Sequence, residues 1–372
     1  MNVINYHLTD SCNYGCTYCF GKFEMNDLTL EQACSVVDNV YRYFTESGIT
    51  DGRINLAGGE PLLYPHLDGL IDYICAYGIK VSIITNGSLL TKERIASWRN
   101  KVYCIGLSLD SALPETNAAI GRRCQNGKVL DVRHAVSIAQ AIHRNGIKLK
   151  INTVVSKFNV NEDMRTFYKR LKPDRLKLLQ MEIVEGVNDA ASQYAISKKQ
   201  FDKFCDKHRH CCHDTVCEDS DSIENAYLII NPQGGFQVNN AGKCFICGDC
   251  LQEELFDIVK RAPINREKFD ARYGITHDTP ADKPVYIFGG HESWRKGIKK
   301  HLCSAQIFKE DNLHCLDVIR NADSIWIQPN AISHPFYYKL LDAAKLYGVT
   351  VRYFSYAGVK KCVEQVKQFA NV

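Results

Sequence analysis

Three cysteines lie close enough together in the chain to bind one metal centre. Cys12, Cys16 and Cys19 are separated by three and by two residues, directly after an alternating run over 3–9 that predicts a β-strand. A loop with this spacing can wrap an iron–sulfur cube so that three thiolates bind three irons and the fourth iron stays open to a reactant. Structural zinc is the alternative, but it requires four ligands, and the next cysteine, Cys34, falls within a helical pattern.

Two further motifs follow the next two predicted strands. Gly58, Gly59 and Glu60 end the second strand, where glycines let the backbone approach a ligand closely and a carboxylate can accept hydrogen bonds from an ammonium group. Asn86 lies in the segment 85–88, after the third strand. Because parallel strands place ligands at the edge formed by their carboxyl ends, the sequence predicts that these motifs and the cysteines share one site.

Several predicted strands carry polar or basic residues on one face only. Alternate residues of a strand point to the same side, and the polar ones are Asn5 and His7, Arg53 and Asn55, Ser108, Lys150 and Asn152, and Arg175 and Lys177. Parallel sheets are usually apolar on both faces because both are covered. A polar face therefore favours a curled sheet around a polar, cationic cavity over a sheet whose polar face meets water.

The elements that would position these residues alternate regularly along the first half of the chain. Six strand–helix repeats are typical of an α/β fold with a parallel sheet and outer helices. We predict a partial (βα)6 barrel over 1–190, followed by a cysteine-rich extension over 191–276. Beyond a segment of turn-forming residues, 277–284, a new α/β pattern predicts a small doubly wound domain over 283–372.

The composition is that of a globular chain, with 45% hydrophobic residues and a net charge of +4. No stretch is apolar over the roughly 20 residues of a membrane span, and the amino terminus lacks the basic and apolar regions of a secretory signal. We therefore expect a cytoplasmic protein, in which 17 cysteines indicate metal or redox chemistry rather than disulfides. Neither a basic run nor an aromatic-interleaved patch supports direct nucleic-acid binding.

The three motifs together resemble the signatures of the radical S-adenosylmethionine (SAM) superfamily. A narrower resemblance, to the viperin family, extends over about residues 2–275. It rests on the segments 5–9, 54–61, 120–122, 150–155, 157–160, 162–164, 175–177, 185–186 and 227–229. Viperins are nucleotide dehydratases that convert a nucleoside triphosphate to its 3′-deoxy-3′,4′-didehydro form, an antiviral chain terminator.

This resemblance implies a role for each group of candidate residues. A [4Fe-4S] cluster would be bound by Cys12, Cys16 and Cys19. SAM would chelate the open iron and contact Gly58, Gly59, Glu60, Asn86, Ser108 and Arg122. The triphosphate would be bound by a clamp of Arg53, Lys150, Asn152, Arg175 and Lys177.

The implied reaction removes the 4′ hydrogen of the ribose with a 5′-deoxyadenosyl radical, after which the 3′ hydroxyl leaves as water. Tyr6 and Tyr227 are the candidates for a hydrogen or proton donor. An external one-electron reductant of the flavodoxin or ferredoxin type would supply electrons. The resemblance sets no preference among CTP, GTP and UTP, because contacts to the triphosphate do not read the base.

The extension and the last domain leave other functions open. Cys244, Cys247 and Cys250 have a spacing suited to zinc or to an auxiliary iron–sulfur cluster, with free thiols as the alternative. An auxiliary cluster would favour a radical SAM enzyme that modifies a peptide or protein. The last domain resembles small uncharacterised Rossmann-like domains, so a nucleotide or phage sensor is a further alternative. Within it, Gly289 and Gly290 predict either a phosphate-binding turn or a plain tight turn.

Overall fold

The chain divides into two compact units, Met1–Tyr273 and Gly274–Val372. Among the residues that the structure describes, the first contains a sheet of ten strands and the second a sheet of four. The computed structural model describes residues 1–21, 27–240, 242–273, 286–302, 305–308, 319, 322, 324–329, 332–347 and 349–370. The segment 277–284 lies outside these described residues.

Six strands alternate with helices at the start of the first unit, and each strand pairs in parallel with the next, which confirms the predicted repeats. The strands are β1 (Val3–His7), β2 (Arg53–Ala57), β3 (Lys80–Thr85), β4 (Val102–Ser108), β5 (Lys148–Val155) and β6 (Arg175–Gln180). The helices are α1 (Leu30–Glu46), α2 (Leu67–Ala76), α3 (Lys92–Ser97), α4 (Pro114–Ile120), α5 (Val132–Arg144) and α6 (Arg165–Leu171).

The first helix shows how local sequence sets these bounds. Thr29 caps α1 by accepting a hydrogen bond from the backbone of Gln32, whose side chain bonds back to the backbone of Thr29. Val36, Val40 and Phe44 belong to an apolar stripe along α1, and this stripe is buried. Two residues past the last turn, Gly48 takes a φ of +66° and ends the helix.

The remaining elements of the first unit extend the same sheet, which therefore continues across residue 190. They are α7 (Lys198–His208), β7 (Thr215–Glu218), α8 (Ser220–Ile223), β8 (Ile229–Ile230), β9 (Gly235–Asn240), β10 (Lys243–Asp249), α9 (Leu255–Arg261) and α10 (Arg266–Tyr273). The strand order is β10-β9-β8-β1-β2-β3-β4-β5-β6-β7. β9 and β10 form an antiparallel hairpin beside β8, whereas β8 and β7 join in parallel at either side of the first six strands.

The sheet is curled, because its two sides meet through side chains. In a flat sheet, the six strand spacings between β8 and β6 would hold these strands roughly 29 Å apart. Yet Tyr227, two residues before β8, accepts a hydrogen bond from Lys177 of β6 at 2.6 Å and donates one to Glu218 of β7 at 2.8 Å. The fold is thus the predicted partial barrel.

The two faces of this barrel differ in polarity, as predicted. The outer face carries buried apolar side chains such as Ile54, Ile83 and Leu176 beneath the helices. On the inner face, strand register aligns polar residues: Asn5 pairs with Asn55, and Lys150 with Arg175. The barrel therefore encloses a polar interior whose side chains are largely shielded from water.

The second unit is a small doubly wound domain, also as predicted. Its parallel sheet has the order β12-β11-β13-β14. The described elements are β11 (Tyr286–Gly289), α11 (Glu292–His301), β12 (Gln306–Phe308), β13 (Ser324–Gln328), α12 (His334–Tyr347), β14 (Thr350–Tyr353) and α13 (Val359–Ala370). A Cβ at Gly290 would lie 2.3 Å from the Trp294 ring, so close packing within this unit accounts for that glycine.

Candidate active site

The cysteine loop follows β1 and lies against the carboxyl end of β2. Gly59 N–H donates to Thr9 O at 2.6 Å, and Glu60 N–H donates to Ser11 O at 2.8 Å. A Cβ at Gly59 would lie 2.2 Å from Ser11 O, and one at Gly58, where φ is +133°, would lie 2.4 Å from Thr9 O. The two glycines thus allow the backbone of β2 to support the loop directly, a role that the sequence did not reveal.

The thiols of the loop are in surroundings suited to an iron–sulfur cluster. Tyr14 N–H points to Cys12 Sγ at 3.4 Å, Gly21 N–H points to Cys19 Sγ at 3.4 Å, and Arg122 Nη1 lies 3.9 Å from Cys16 Sγ. Hydrogen bonds and a cation at the sulfurs stabilise thiolate charge and tune a cluster. This donor set fits three irons of a cube.

Burial raises the pKa of the Cys12 thiol and raises the pKa of the Cys16 thiol to about 12. Metal binding to these thiols would therefore release protons. Among the described residues, no three His, Cys, Asp or Glu side chains are grouped to hold a single metal ion. A cube does not require such a grouping, because each thiolate of a cluster binds a different iron.

Arg122 is buried beside the loop in a network that the sequence did not predict. Its Nη1 donates to Tyr18 Oη at 3.0 Å and lies 3.4 Å from Asp110 Oδ2, while Nη2 donates to Ser108 O at 2.5 Å. Tyr18 also donates to Asp110. The carboxylate of Asp110 thus holds a guanidinium at the thiol of Cys16, and Ser108 contributes its carbonyl oxygen.

Glu60 does not occupy the position expected of an acceptor for an ammonium ligand. Its side chain is fully buried, and its oxygens accept from Thr85 Oγ1 at 2.6 Å, from Asn86 N–H at 2.8 Å and from Leu62 N–H at 3.2 Å. Burial raises the pKa of Glu60, and these donors oppose that shift. The expectation of direct ligand contact is therefore corrected: this carboxylate joins the ends of β2 and β3.

Asn86 is placed at the cysteine loop, as the shared carboxyl edge predicted. Its Nδ2 donates to Asn13 Oδ1 at 2.8 Å, and its Oδ1 accepts from Ser88 Oγ at 2.6 Å. Asn13 Nδ2 donates in turn to Ser88 Oγ at 2.8 Å. This three-residue network fixes the loop between Cys12 and Cys16 against the end of β3.

The predicted basic residues meet on the inner face of the barrel. In register, Lys150 lies opposite Arg175 and Asn152 opposite Lys177. Arg53 begins β2 on the same face, and its guanidinium lies 5.8 Å from the centre of the Tyr103 ring. Burial is the main cause that lowers the pKa of Lys150 to about 8.

Two of these cations already pair with carboxylates. Lys177 Nζ lies 2.8 Å from Glu218 Oε1, and Arg175 Nη1 lies 3.5 Å from Asp214 Oδ2. Burial lowers the pKa of Lys177, while the charge of Glu218 opposes that shift. Among the described residues, no carboxylate forms an ion pair with Lys150.

Glu218 is the centre of a cluster that sequence reasoning missed. It is almost fully buried and accepts from Arg272 Nη2 at 2.9 Å and from Tyr227 Oη at 2.8 Å. The Arg272 guanidinium lies 3.0 Å from the centre of the Tyr227 ring. The four-residue strand that ends at Glu218 gives too short an alternation to predict this position, and Arg272 comes from a helix far along the chain.

The two candidate tyrosines lie in different places. Tyr227 lies in this inner cluster and bonds to Lys177. Tyr6 points to the outer face of β1, is 1% exposed, and lies near Tyr64 and Cys250 in the core, where burial raises its pKa. The expectation that Tyr6 donates to a substrate is therefore wrong, because alternation along β1 directs it away from the barrel interior.

The second cysteine group occupies the β9–β10 hairpin. Cys244 and Cys247 lie in β10, and Cys250 is buried just after it. Here too, within the described ranges, the three cysteines are not grouped to bind a single metal ion. The cysteines whose spacing suggested a second metal site are thus spread along an extended strand and the residue after it.

Comparisons with known proteins agree with this arrangement. The Radical SAM superfamily model matches residues 6–171. An S-adenosylmethionine-dependent nucleotide dehydratase of Selenomonas ruminantium is 32% identical over 278 residues, covering 73% of this chain and 98% of that protein. An enzyme of the same name from Thermoplasmatales archaeon (strain ISO4-H5) is 33% identical, covering 73% of this chain and 94% of its own length.

Solved structures show the same fold. SuiB of Streptococcus suis bound to the precursor peptide SuiA aligns with a TM-score of 0.56 and 16% identity, over 71% of this chain and 65% of that one. The native anSMEcpe with bound AdoMet and the Cp18Cys peptide aligns with a TM-score of 0.56 and 14% identity, over 99% of each chain. At such identities the likeness concerns the fold alone.

Within the described residues, no helix combines the length and apolarity needed to traverse a bilayer.

Radical SAM enzymes use a [4Fe-4S] cluster and SAM, and the cysteine loop has the donor set for that cluster. The cysteine loop and its glycine support lie at the carboxyl edge of the barrel, and the cationic residues line its inner face. The nucleotide dehydratases are similar to this chain in sequence over the same region. The chain therefore belongs to the S-adenosylmethionine-dependent nucleotide dehydratases, a family of radical SAM enzymes.

Proposed function

We propose that this enzyme dehydrates a nucleoside triphosphate (CTP, GTP or UTP) to its 3′-deoxy-3′,4′-didehydro form, an antiviral chain terminator that would act against phage. One observation carries the proposal. Cationic side chains of β2, β5 and β6 line the interior of the barrel whose carboxyl edge carries the cysteine loop, in a chain of the nucleotide dehydratase family.

The cluster ligands in this proposal are Cys12, Cys16 and Cys19. When bound, the cluster and SAM supply the radical that removes the 4′ hydrogen. Arg122 and the backbones of Gly58 and Gly59 are the groups proposed to hold SAM, with Asn86 and Ser108 beside them. Glu60 and Asp110 act behind these groups, because both are fully buried and bonded within the protein.

The triphosphate is proposed to bind Arg53, Lys150, Asn152, Arg175 and Lys177. The lowered pKa of Lys150 supports this site, because burial is its largest cause and a bound anion would oppose that effect. Asn152 is 8% exposed, and its buried Oδ1 has no hydrogen-bond partner among the described residues. This oxygen is suited to accept from a ribose hydroxyl of the nucleotide, whereas a phosphate would accept from the Nδ2 of the same amide.

Glu218 would compete with a bound triphosphate for one of the clamp residues, Lys177. Its carboxylate lies 2.8 Å from Lys177 and 2.9 Å from Arg272, at the end of the proposed clamp. A phosphate at Lys177 would compete with this carboxylate for the same cation. We therefore assign the strongest phosphate contact to Lys150, which forms no ion pair with a carboxylate among the described residues. Arg175 comes next, because its partner Asp214 is farther away, at 3.5 Å, and more exposed than Glu218, and Lys177 would bind the last phosphate.

Tyr227 is proposed as the proton donor to the departing 3′ hydroxyl. Loss of hydroxide from the ribose needs one proton to leave as water, and Tyr227 Oη is the hydroxyl that bridges Lys177 and Glu218. The ammonium of Lys177 donates to Tyr227 Oη, so it favours the phenolate that remains and can return a proton to it, after which the lysine is reprotonated from solvent. The electrons come from outside the chain, from a reductant of the flavodoxin or ferredoxin type.

The test is anaerobic incubation of the reconstituted protein with SAM, dithionite and each triphosphate in turn, followed by mass spectrometry. We expect 5′-deoxyadenosine and a nucleotide lighter than one substrate by the mass of one water. Formation of 5′-deoxyadenosine with no dehydrated nucleotide from any triphosphate would contradict the proposal. It would favour the alternative of a peptide-modifying enzyme, whose fold this chain shares with SuiB and anSMEcpe.

A further inference from the structure

The outer side of the cysteine loop is exposed, although the loop carries the proposed cluster ligands. Gly15 and Thr17 are exposed between those cysteines, and Phe20, just after the last one, is 44% exposed. A single exposed apolar side chain is common, but apolar side chains that form one area with their neighbours indicate contact with another molecule. The three thiols of the loop, Cys12, Cys16 and Cys19, are themselves only partly buried, so the proposed cluster lies close to this exposed side.

Neighbouring segments extend this exposed area. Leu89 is 37% exposed and follows Ser88, which bonds to the loop through Asn13. On the other side, Thr17 N–H donates to Ile120 O at 2.8 Å, at the end of α4, and Tyr14 forms an isolated bridge with Cys124.

The segment after α4 brings positive charge to the loop. Cys124 N–H donates to Lys128 O at 2.8 Å, so residues 124–128 form a tight turn that lies against Tyr14. Arg123 and Lys128 are both exposed there. Within the part of the chain that the structure describes, neither side chain forms an ion pair, so both charges are available to a partner.

We propose that Gly15, Thr17, Phe20, Leu89, Arg123 and Lys128 form the docking surface for the electron donor, a small acidic one-electron carrier protein of the flavodoxin or ferredoxin type. This inference rests on the proposed function, which takes up single electrons from outside the chain. Electron transfer slows steeply with distance, and SAM and nucleotide would occupy the inner side of the cluster. The carrier therefore approaches from the outer side of the loop.

Charge complementarity selects the partner. Two cations beside an apolar centre match a carrier whose acidic residues surround an exposed redox group, and such pairs associate quickly because of electrostatic steering. Phe20 and Leu89 supply the apolar contact that lets the two proteins approach without a layer of water.

The test is the double substitution R123E/K128E in the cluster-loaded, full-length protein. We expect the dissociation constant for a labelled flavodoxin to rise about tenfold at low ionic strength and the dependence of binding on salt to weaken. Cluster reduction by reduced flavodoxin should slow by a similar factor. Reduction by dithionite should not change, because a small reductant needs no docking surface.

The matched control is R99E/R144E, which makes the same change in net charge. Arg99 and Arg144 are exposed after α3 and at the end of α5, at the amino edge of the sheet, opposite the cysteine loop. Equal weakening in this control would assign the effect to net charge and overturn the surface.

Two other results would also overturn the surface. One is unchanged flavodoxin binding in R123E/K128E, and the other is failure of wild-type protein to bind either a flavodoxin or a ferredoxin. Dithionite-driven dehydration by the wild type tests the proposed function separately. A wild type that dehydrates with dithionite, with flavodoxin binding unaffected by the charge reversal, would remove the docking surface and leave the proposed function intact.

Discussion

Lys150 is partly buried on the inner face of the barrel, opposite Arg175 in register and near the charge of Arg53. Burial, the largest cause, lowers its pKa from the usual lysine range to about 8, and the neighbouring cations act in the same direction. Burial and the repulsion from Arg175 and Arg53 thus both disfavour the charged form of Lys150. A bound triphosphate would reverse both effects.

This state of Lys150 predicts a pH dependence of nucleotide binding. Below a pH of about 8 the ammonium form is present before binding, whereas above it binding must take up a proton. Affinity for a triphosphate should therefore be constant below pH 8 and fall by up to about tenfold per pH unit above it. Phosphate ionisation, with a pKa near 6, is complete in that range. Calorimetric titration between pH 7 and 9.5 measures this.

Lys150→Met should weaken triphosphate binding by about tenfold to a hundredfold, since a charge-assisted hydrogen bond contributes ~1.5–3 kcal/mol. It should also remove the fall in affinity above pH 8. Lys148→Met is the matched control, because Lys148 is exposed on the same strand, closer to the amino edge. An unaltered affinity in Lys150→Met would remove this residue from the clamp.

Tyr227→Phe tests proton donation with little change in shape. The ring would still pack beneath Arg272, but the hydroxyl that bridges Lys177 and Glu218 would be lost. Dehydrated nucleotide should fall by about 10²-fold or more, as expected for loss of a general acid, while 5′-deoxyadenosine formation falls less. Tyr6→Phe is the control and should leave both rates within about twofold. Equal loss of both products in Tyr227→Phe would instead indicate a role in binding.

The sequence predicts which side chains share a face of a strand better than it predicts which atoms those side chains contact. Strand alternation was enough to place Lys150, Asn152, Arg175 and Lys177 on one face. It could not show that Glu60 is enclosed by Thr85 and Asn86, because those contacts join segments that are distant in the chain. The direction of Tyr6 was readable from alternation, since its neighbours Asn5 and His7 share the other face.

Among the elements, the end of β2 determines where the cysteine loop lies. Backbone atoms of Gly58 and Gly59 contact the backbone of Thr9, Asp10 and Ser11 with no room for a side chain. The glycine motif was predicted to make space for a ligand, and packing against the loop is a second reason for it. Fixing one loop on the end of a neighbouring strand gives the three thiols a defined position.

Gly59→Ala should therefore disturb the loop. The added Cβ would lie 2.2 Å from Ser11 O and 2.7 Å from Asp10 O, both backbone atoms that can move only with the loop. We expect the iron content after anaerobic reconstitution to fall by more than half and SAM affinity to fall with it. Gly69→Ala is the control, because Gly69 lies within α2 and a Cβ there would meet only Leu30, at 3.8 Å. Full iron content in Gly59→Ala would contradict this account of the motif.

For the whole molecule, the extension completes the barrel instead of forming a separate domain. β8 is only two residues long, yet it pairs with β1 and brings Tyr227 to the interior. Two residues carry too little periodicity to be predicted as a strand. The six repeats and the last domain were predictable because their strands and helices are long and regular.

Removal of the second unit should leave the enzyme active. The ten-stranded sheet is complete within Met1–Tyr273, and relatives that match over 94–98% of their own length account for only 73% of this chain. A chain truncated after residue 276 should retain its iron and dehydrate nucleotide at a rate within about twofold of the full chain. Loss of phage protection with activity retained would support a sensor role for the second unit. Loss of activity itself would contradict the independence of the barrel.

The central claim is that the radical formed at the cysteine loop acts on the ribose of a triphosphate held by the inner cations. The most direct measurement is isotope transfer from nucleoside triphosphates deuterated at the 4′ carbon. We predict that deuterium is found in 5′-deoxyadenosine, in an amount that matches the dehydrated nucleotide. If the 5′-deoxyadenosine carries no deuterium although the triphosphate is bound, the hydrogen comes from another substrate and the account is contradicted.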